Sequence, residues 1–284
     1  MKLAVITDSS AFLDESLKKK DNVFVLDIPV IIDNESFIEG KNLEIEEFYQ
    51  KLEKANDFPT TSQPNLADLD DILAYVTKEN YTHVIGLFLS SGISGFYQNI
   101  HYLVDEYSHL TISFPDTKTS SFPLGILVKN TINAYEKGLS FSDIDENLRQ
   151  QINQTGAYVI VDDLNHLVKG GRLSNGSALI GNLLSIKPII YFNNGKLELY
   201  ERVRTEKKAH NRLIEILNDV TSNGSFDVSI VHANAFEKAK KIRDLVSQSH
   251  YQGNISITPF SSVIAAHLGK GAVAIAFSPS ADDE

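Results

Sequence analysis

Apolar residues in the first half of the chain follow two alternating rhythms: short unbroken runs and spacings of three and four. Leu3–Thr7, Val23–Val30 and Val84–Leu89 are runs with the length of buried strands, and Thr111–Phe114 is a shorter one. Ile45–Ala55 and Leu66–Glu79 carry apolar residues at helical spacing, and Gly95–Glu106, Ser121–Tyr135 and Ser142–Thr155 read as further helices. Pro123 falls in a first helical turn, where its missing N–H costs nothing. Ser142, just ahead of Asp145, reads as an N-cap. An edge pair of strands is expected at Ile31–Ile38. Strands alternating with helices predict a mainly parallel sheet covered by helices on both faces.

After Thr155 the rhythm changes. Ala157–Val161 reads as a strand, Gly170-Gly171 as a turn, and Ser174–Ile186 as a helix of small and aliphatic residues stopped by Pro188. Ile189–Phe192 and Lys196–Arg204 flank Asn193-Asn194-Gly195, a strong hairpin signal. Glu206–Val220 is amphipathic, with Ala209, Leu213, Leu217 and Val220 on one face. Asp227–His232, a helix at Ala235–Gln248, Asn254–Pro259 and Val273–Phe277 complete an α+β unit. The expected architecture is an α/β protein of two domains, residues 1–155 and 156–284.

A length of 284 residues favours two cores over one. With no cysteine, disulfides, a thiol nucleophile and cysteine-based metal sites are excluded, and a reducing compartment fits. The apolar run after Met1 is too short for a signal peptide, and no segment approaches the ~18 apolar residues of a membrane span. A cytoplasmic location is expected. The net charge of −11 argues against general nucleic-acid binding. Charge is nevertheless uneven: Leu164–Arg212 holds nine basic residues and three acids, leaving it near +6 and the rest of the chain near −17. This segment reads either as a solvated basic face or as a docking surface for an acidic partner or an anionic membrane.

Candidate chemistry collects in loops. Residues 82–98 run from a buried strand through Ser90-Ser91-Gly92-Ile93-Ser94-Gly95 into a helical pattern, a junction that offers N–H groups and hydroxyls to an anionic head group. Thr7-Asp8-Ser9-Ser10 follows the first strand, where Asp8 or Ser9 would serve as a helix N-cap or face a ligand. Thr60-Thr61-Ser62-Gln63-Pro64 lies between two helices, its hydroxyls suited to capping Leu66 onward or to a ligand. His267 lies in what reads as a glycine-flanked turn, open to a ligand oxygen.

A serine hydrolase acting on an acyl substrate is one reading, with Ser94, His267 and either Asp162 or Asp163 in chain order. Its nucleophile elbow would need Gly-x-Ser-x-Gly, and here the second glycine comes one position early. There is no Walker loop, dinucleotide fingerprint or zinc-binding His-Glu-x-x-His. No metal is expected: adjacent Asp162 and Asp163 point opposite ways on a strand end, which favours helix capping.

Taken in order, Thr7-Asp8-Ser9-Ser10, Thr61-Ser62-Gln63-Pro64, the Ser90–Gly95 loop, Lys169-Gly170-Gly171-Arg172-Leu173-Ser174 and His267 resemble the DegV family over essentially the whole chain. Characterised members are fatty-acid-binding subunits of a bacterial fatty-acid kinase. The resemblance implies a long-chain fatty acid buried between two domains. Thr61, Ser94 and His267 would hold its carboxyl, with Ser62 and Gly95 beside them. It also implies that a separate ATP-dependent kinase subunit makes the acyl phosphate used for phospholipid synthesis. No cofactor beyond the bound acid is implied, and the chain itself is not expected to be an enzyme. Arg172 and Arg204 resemble positions tied to kinase or membrane contact. Departures stand at Phe96, where the family commonly has Thr, at Lys270, where Pro is usual, and at Asp116–Ser120.

Overall fold

In the computed structural model, residues 1–176 and 186–281 are described. The first half runs β1 (Leu3–Asp8), α1 (Glu15–Lys18), β2 (Val23–Leu26), β3 (Val30–Ile32), β4 (Glu35–Phe37), α2 (Ile45–Lys54), β5 (Thr60–Thr61) and α3 (Leu66–Lys78). It continues through β6 (His83–Leu87), α4 (Phe96–Asn99), α5 (Tyr102–Glu106), β7 (Thr111–Ser113), α6 (Ser121–Glu136) and α7 (Phe141–Ile152).

Strands β2-β1-β6-β7 form a four-stranded sheet in which every pair is parallel. Alternation along β1 sends Leu3 and Val5 to one face and Ala4 and Ile6 to the other. The first face packs on Leu124, Leu127 and Val128 of α6 with Ile144 and Leu148 of α7; the second packs on Leu69, Leu73 and Val76 of α3. Both faces are covered, as near-continuous apolar strands require.

Some local expectations hold and others shift in detail. The helix expected over Gly95–Glu106 is two short pieces, α4 and α5. The cap of α7 is Ser140 rather than Ser142, its Oγ accepting from Asp143 N at 3.2 Å. Asn65, not the hydroxyls of residues 60–62, caps α3. The pair at Ile31–Ile38 is the β3–β4 hairpin, turned at Asp33 and Asn34. Thr60 and Thr61 are not a free loop. They add a strand to β3, giving a small three-stranded antiparallel sheet, β4-β3-β5.

The second half contains β8 (Gly156–Ile160), α8 (Asn165–Lys169), β9 (Lys187–Asn193), β10 (Lys196–Val203), α9 (Glu206–Val220) and β11 (Phe226–His232). It ends with α10 (Phe236–Val246), β12 (Ile255–Pro259), α11 (Ser262–Leu268) and β13 (Val273–Pro279). A six-stranded sheet orders them β10-β9-β8-β13-β11-β12, antiparallel except for β11–β12. Asn194 and Gly195 adopt φ of 46° and 82° at the hairpin tip, both left-handed, as the sequence signal demands. Of the helix expected over Ser174–Ile186, residues 177–185 lie outside the described residues.

One face of the six-stranded sheet packs beneath α9 and α10. The other turns toward the three-stranded sheet, α11 and the start of α6.

Candidate functional site: a polar cluster on an apolar cavity

Between these layers lies a cavity of about 290 Å³, near the lower end of the ~300–1,000 Å³ usual for small-molecule sites. Its apolar wall includes Leu89, Val159, Phe192, Leu197, Val263 and Ala276. Its polar wall includes Thr61, Ser94, Arg172 and His267. Ser62, Gln63 and Gly95 are exposed whereas His267 is buried, so the polar cluster runs from the surface to the cavity.

The loop bearing Ser94 leaves β6 at the carboxyl edge of the parallel sheet. Asp8, at the end of β1, holds its second residue: a carboxylate oxygen accepts from Leu89 N at 2.7 Å. The other oxygen accepts from Ser10 N at 3.0 Å and Ser10 Oγ at 2.6 Å. Asp8 is therefore no helix cap; Asp14 caps α1. Burial raises the Asp8 pKa, and these hydrogen bonds counter only part of that. Ser91 N donates to Asp116 at 3.0 Å, tying the loop's next turn to the segment after β7. Ser94 Oγ accepts from Phe96 N at 3.3 Å.

Thr61 arrives on β5 and His267 on the last turn of α11, not in an open turn. Although 206 residues apart, Thr61 Oγ1 and His267 Nε2 share a hydrogen bond of 2.8 Å. Burial, then the charge of Arg172, then His166 push the His267 pKa down to about 4, so the imidazole is uncharged at neutral pH. A Cβ on Gly170 would come within 2.7 Å of His267 Nδ1, a close approach that explains why this turn carries glycine. A Cβ on Gly95 would meet Gln63 Nε2 at 2.6 Å, and Gln63 Oε1 accepts from Asn99 Nδ2 at 3.0 Å. Gln63 thus joins the Thr61 strap to the Ser94 loop. Its motif alone points to no such role, because its partners lie in α4 and the loop before it.

Arg172 also lines the cavity. It is half-buried, with Nε donating to Ile93 O at 3.3 Å and a terminal nitrogen donating to Gly170 O. Arg204 is exposed just ahead of α9.

Among the described residues no hydrolytic triad is assembled. Asp162 bridges Lys187 at 2.7 Å and Lys238 at 2.6 Å, and Asp163 Oδ1 accepts from Asn165 N at 2.8 Å. Neither carboxylate orients His267, whose Nε2 faces Thr61. Among the described residues no group of three or more His, Asp or Glu could hold a metal ion, and no helix is long and apolar enough to cross a membrane.

An apolar cavity between the six-stranded sheet and α11, with two hydroxyls, an uncharged imidazole and one guanidinium on its polar wall, has the makings of a small-molecule site. The chain belongs to the DegV family: the model described as "Uncharacterised protein, DegV family" matches residues 2–280. It is 54% identical over 280 residues to the DegV domain-containing protein spr1415 of Streptococcus pneumoniae, covering 98% of this chain and 99% of that one. The fold superposes with a TM-score of 0.96 on the fatty acid binding DegV family protein SAG1342 of Streptococcus agalactiae, at 50% identity and 99% coverage of both chains. DegV of Bacillus subtilis, described as a fatty acid binding protein, matches with a TM-score of 0.88 at 32% identity, over 99% of this chain and 100% of that one.

Phe96 and Lys270, the expected departures, each have a local partner. Phe96 is 1% exposed and packs edge-on against Phe88 at 5.1 Å, inside the parallel-sheet core. Lys270 forms an ion pair with Glu53 of α2.

Proposed function

We propose that this chain binds a long-chain fatty acid in the cavity and presents its carboxylate to a separate ATP-dependent kinase subunit, which converts it to an acyl phosphate for phospholipid synthesis. The observation that carries this reading is the meeting of Thr61 and His267, with Ser94, on the wall of an apolar cavity. The S. agalactiae and B. subtilis relatives, both described as fatty acid binding, support it.

The energetics are consistent. A saturated tail of about sixteen carbons, at ~0.8 kcal/mol per buried CH₂, gains on the order of 11 kcal/mol before entropic costs. The tail supplies affinity; the polar cluster supplies register. Arg172 on the same wall donates to Ile93 O and Gly170 O, so hydroxyls and a neutral imidazole hold the carboxylate, less tightly than a bidentate arginine would, and leave its oxygens charge-rich toward a phosphoryl donor. Ser62 and Gly95 border the head group, Arg204 offers a charge to the kinase or to an anionic membrane, and Arg172 reaches that surface only from the cavity wall. The reading includes a cytoplasmic location, a division near residue 155, no resident cofactor and no chemistry performed by this chain alone.

Mass spectrometry of the purified, denatured protein tests it. A fatty acid released in near-stoichiometric amount is expected. Protein that neither carries nor takes up a fatty acid would overturn the proposal.

A further inference from the structure

Ser90 is fully buried, yet none of its polar atoms lacks a partner. Its N–H donates to Thr119 O at 2.9 Å, and its carbonyl accepts from Ile93 N and Ser94 N, each at 3.1 Å. Its Oγ donates to Gly195 O at 2.7 Å and accepts from Gly92 N at 3.2 Å. Three stretches of backbone meet at this one residue: the turn leading into α6, the turn that carries Ser94, and the tip of the β9–β10 hairpin, 105 residues away.

The hairpin tip is shaped for this contact. Gly195 is buried, although hairpin tips usually face water, while Asn194 beside it is exposed. A Cβ on Gly195 would lie 2.5 Å from Ser90 Oγ, and one on Gly92 would lie 2.2 Å from Gly195 O. Both glycines are required by the closeness of the two backbones. The same hairpin also receives the loop after α8, where Ser174 N donates to Leu197 O at 2.8 Å.

We infer that Ser90 is a positioning residue for the head-group hydroxyl: the Ser90–Gly195 contact fixes the turn from which Ser94 faces the cavity. The hairpin of the second half thereby sets the geometry of a loop belonging to the first. Ser90 itself touches no ligand; its effect passes through the Ser94 turn. This inference rests on the fatty-acid reading of the cavity.

The test compares binding of a saturated long-chain fatty acid with binding of its methyl ester, which keeps the tail but lacks the charged head. Ser90→Ala is expected to weaken the acid about tenfold and the ester less than about twofold, the scale of one buried hydrogen bond. In a Ser94→Ala background, Ser90→Ala is expected to add less than about twofold, because its route to the head group is already gone. Gly195→Ala, which keeps the Ser90 hydroxyl but displaces it, is expected to repeat the pattern and covers the case in which Ser90→Ala does not fold. Equal losses for acid and ester, or full additivity with Ser94→Ala, would overturn the positioning role while leaving the fatty-acid reading in place. Wild-type protein that binds neither compound would overturn both.

Discussion

The two faces of the six-stranded sheet are made by the same strands yet do opposite things. Along β13, Val273, Ile275 and Phe277 pack under α9 and α10 with Ile189, Val228 and Ile230, a core of large side chains. The intervening residues, Ala274 and Ala276, face the other way and join Ala157 and Val159. A period of two thus places bulk on one side and smallness on the other. The large face is filled by the protein's own side chains, whereas the small face leaves the cavity. The difference teaches that a ligand site can be written as the alternate letters of a structural strand, with no residue that looks chemical.

Substitutions on the two faces sharpen the contrast. The largest effect is expected for Ile230→Ala on the packed face. It should cost about 2–5 kcal/mol in denaturant unfolding while leaving fatty-acid content unchanged; loss of ligand without loss of stability would break the division between faces. On the cavity face, Ala276→Phe should fill the space that the proposal assigns to the tail. It should lower fatty-acid affinity by roughly a hundredfold or more while shifting stability by about 1–3 kcal/mol at most. A variant that still co-purifies with a full complement of ligand would contradict the role given to that face.

Acid acts through the polar wall. His267 titrates at about 4 when folded, against 6.5 ordinarily, so the unfolded chain takes up the proton first. The stability this group contributes is present above pH 6.5 and is lost as pH falls toward about 4. Thermal melts should follow that direction, with a shallower slope in His267→Ala. The same variant should retain bound fatty acid but weaken it about fivefold to tenfold, and it should slow kinase-coupled turnover. Undiminished turnover would sink the head-group role of His267. The smallest effect on the ligand is expected from Arg204→Glu: unchanged fatty-acid content with weaker kinase or vesicle association, read by co-sedimentation.

What could be read in advance was whatever local rules control. The parallel sheet, the hairpin at Asn193-Asn194-Gly195 and α9 at Glu206–Val220 follow from periodicity and turn chemistry. The short helices α8 and α11 leave no such mark, because five and seven residues carry too little periodic signal. Tertiary bonds hold them instead, such as Glu39 accepting from Ser262 N at the start of α11. Asp8 had every local mark of a cap, and its decisive partner, Leu89 N, is 81 residues away. Motif order brought together Thr61, Ser94 and His267 as cavity-lining residues. Basic composition alone could not distinguish Arg172, drawn into the wall, from Arg204, left at the surface.

The bond between Thr61 and His267 spans the two halves of the polypeptide. Any cargo seated against both residues is therefore also mortar. Filling the pocket and cementing the halves would be one thermodynamic event, and an occupied protein would resist unfolding more the more tightly it grips its ligand.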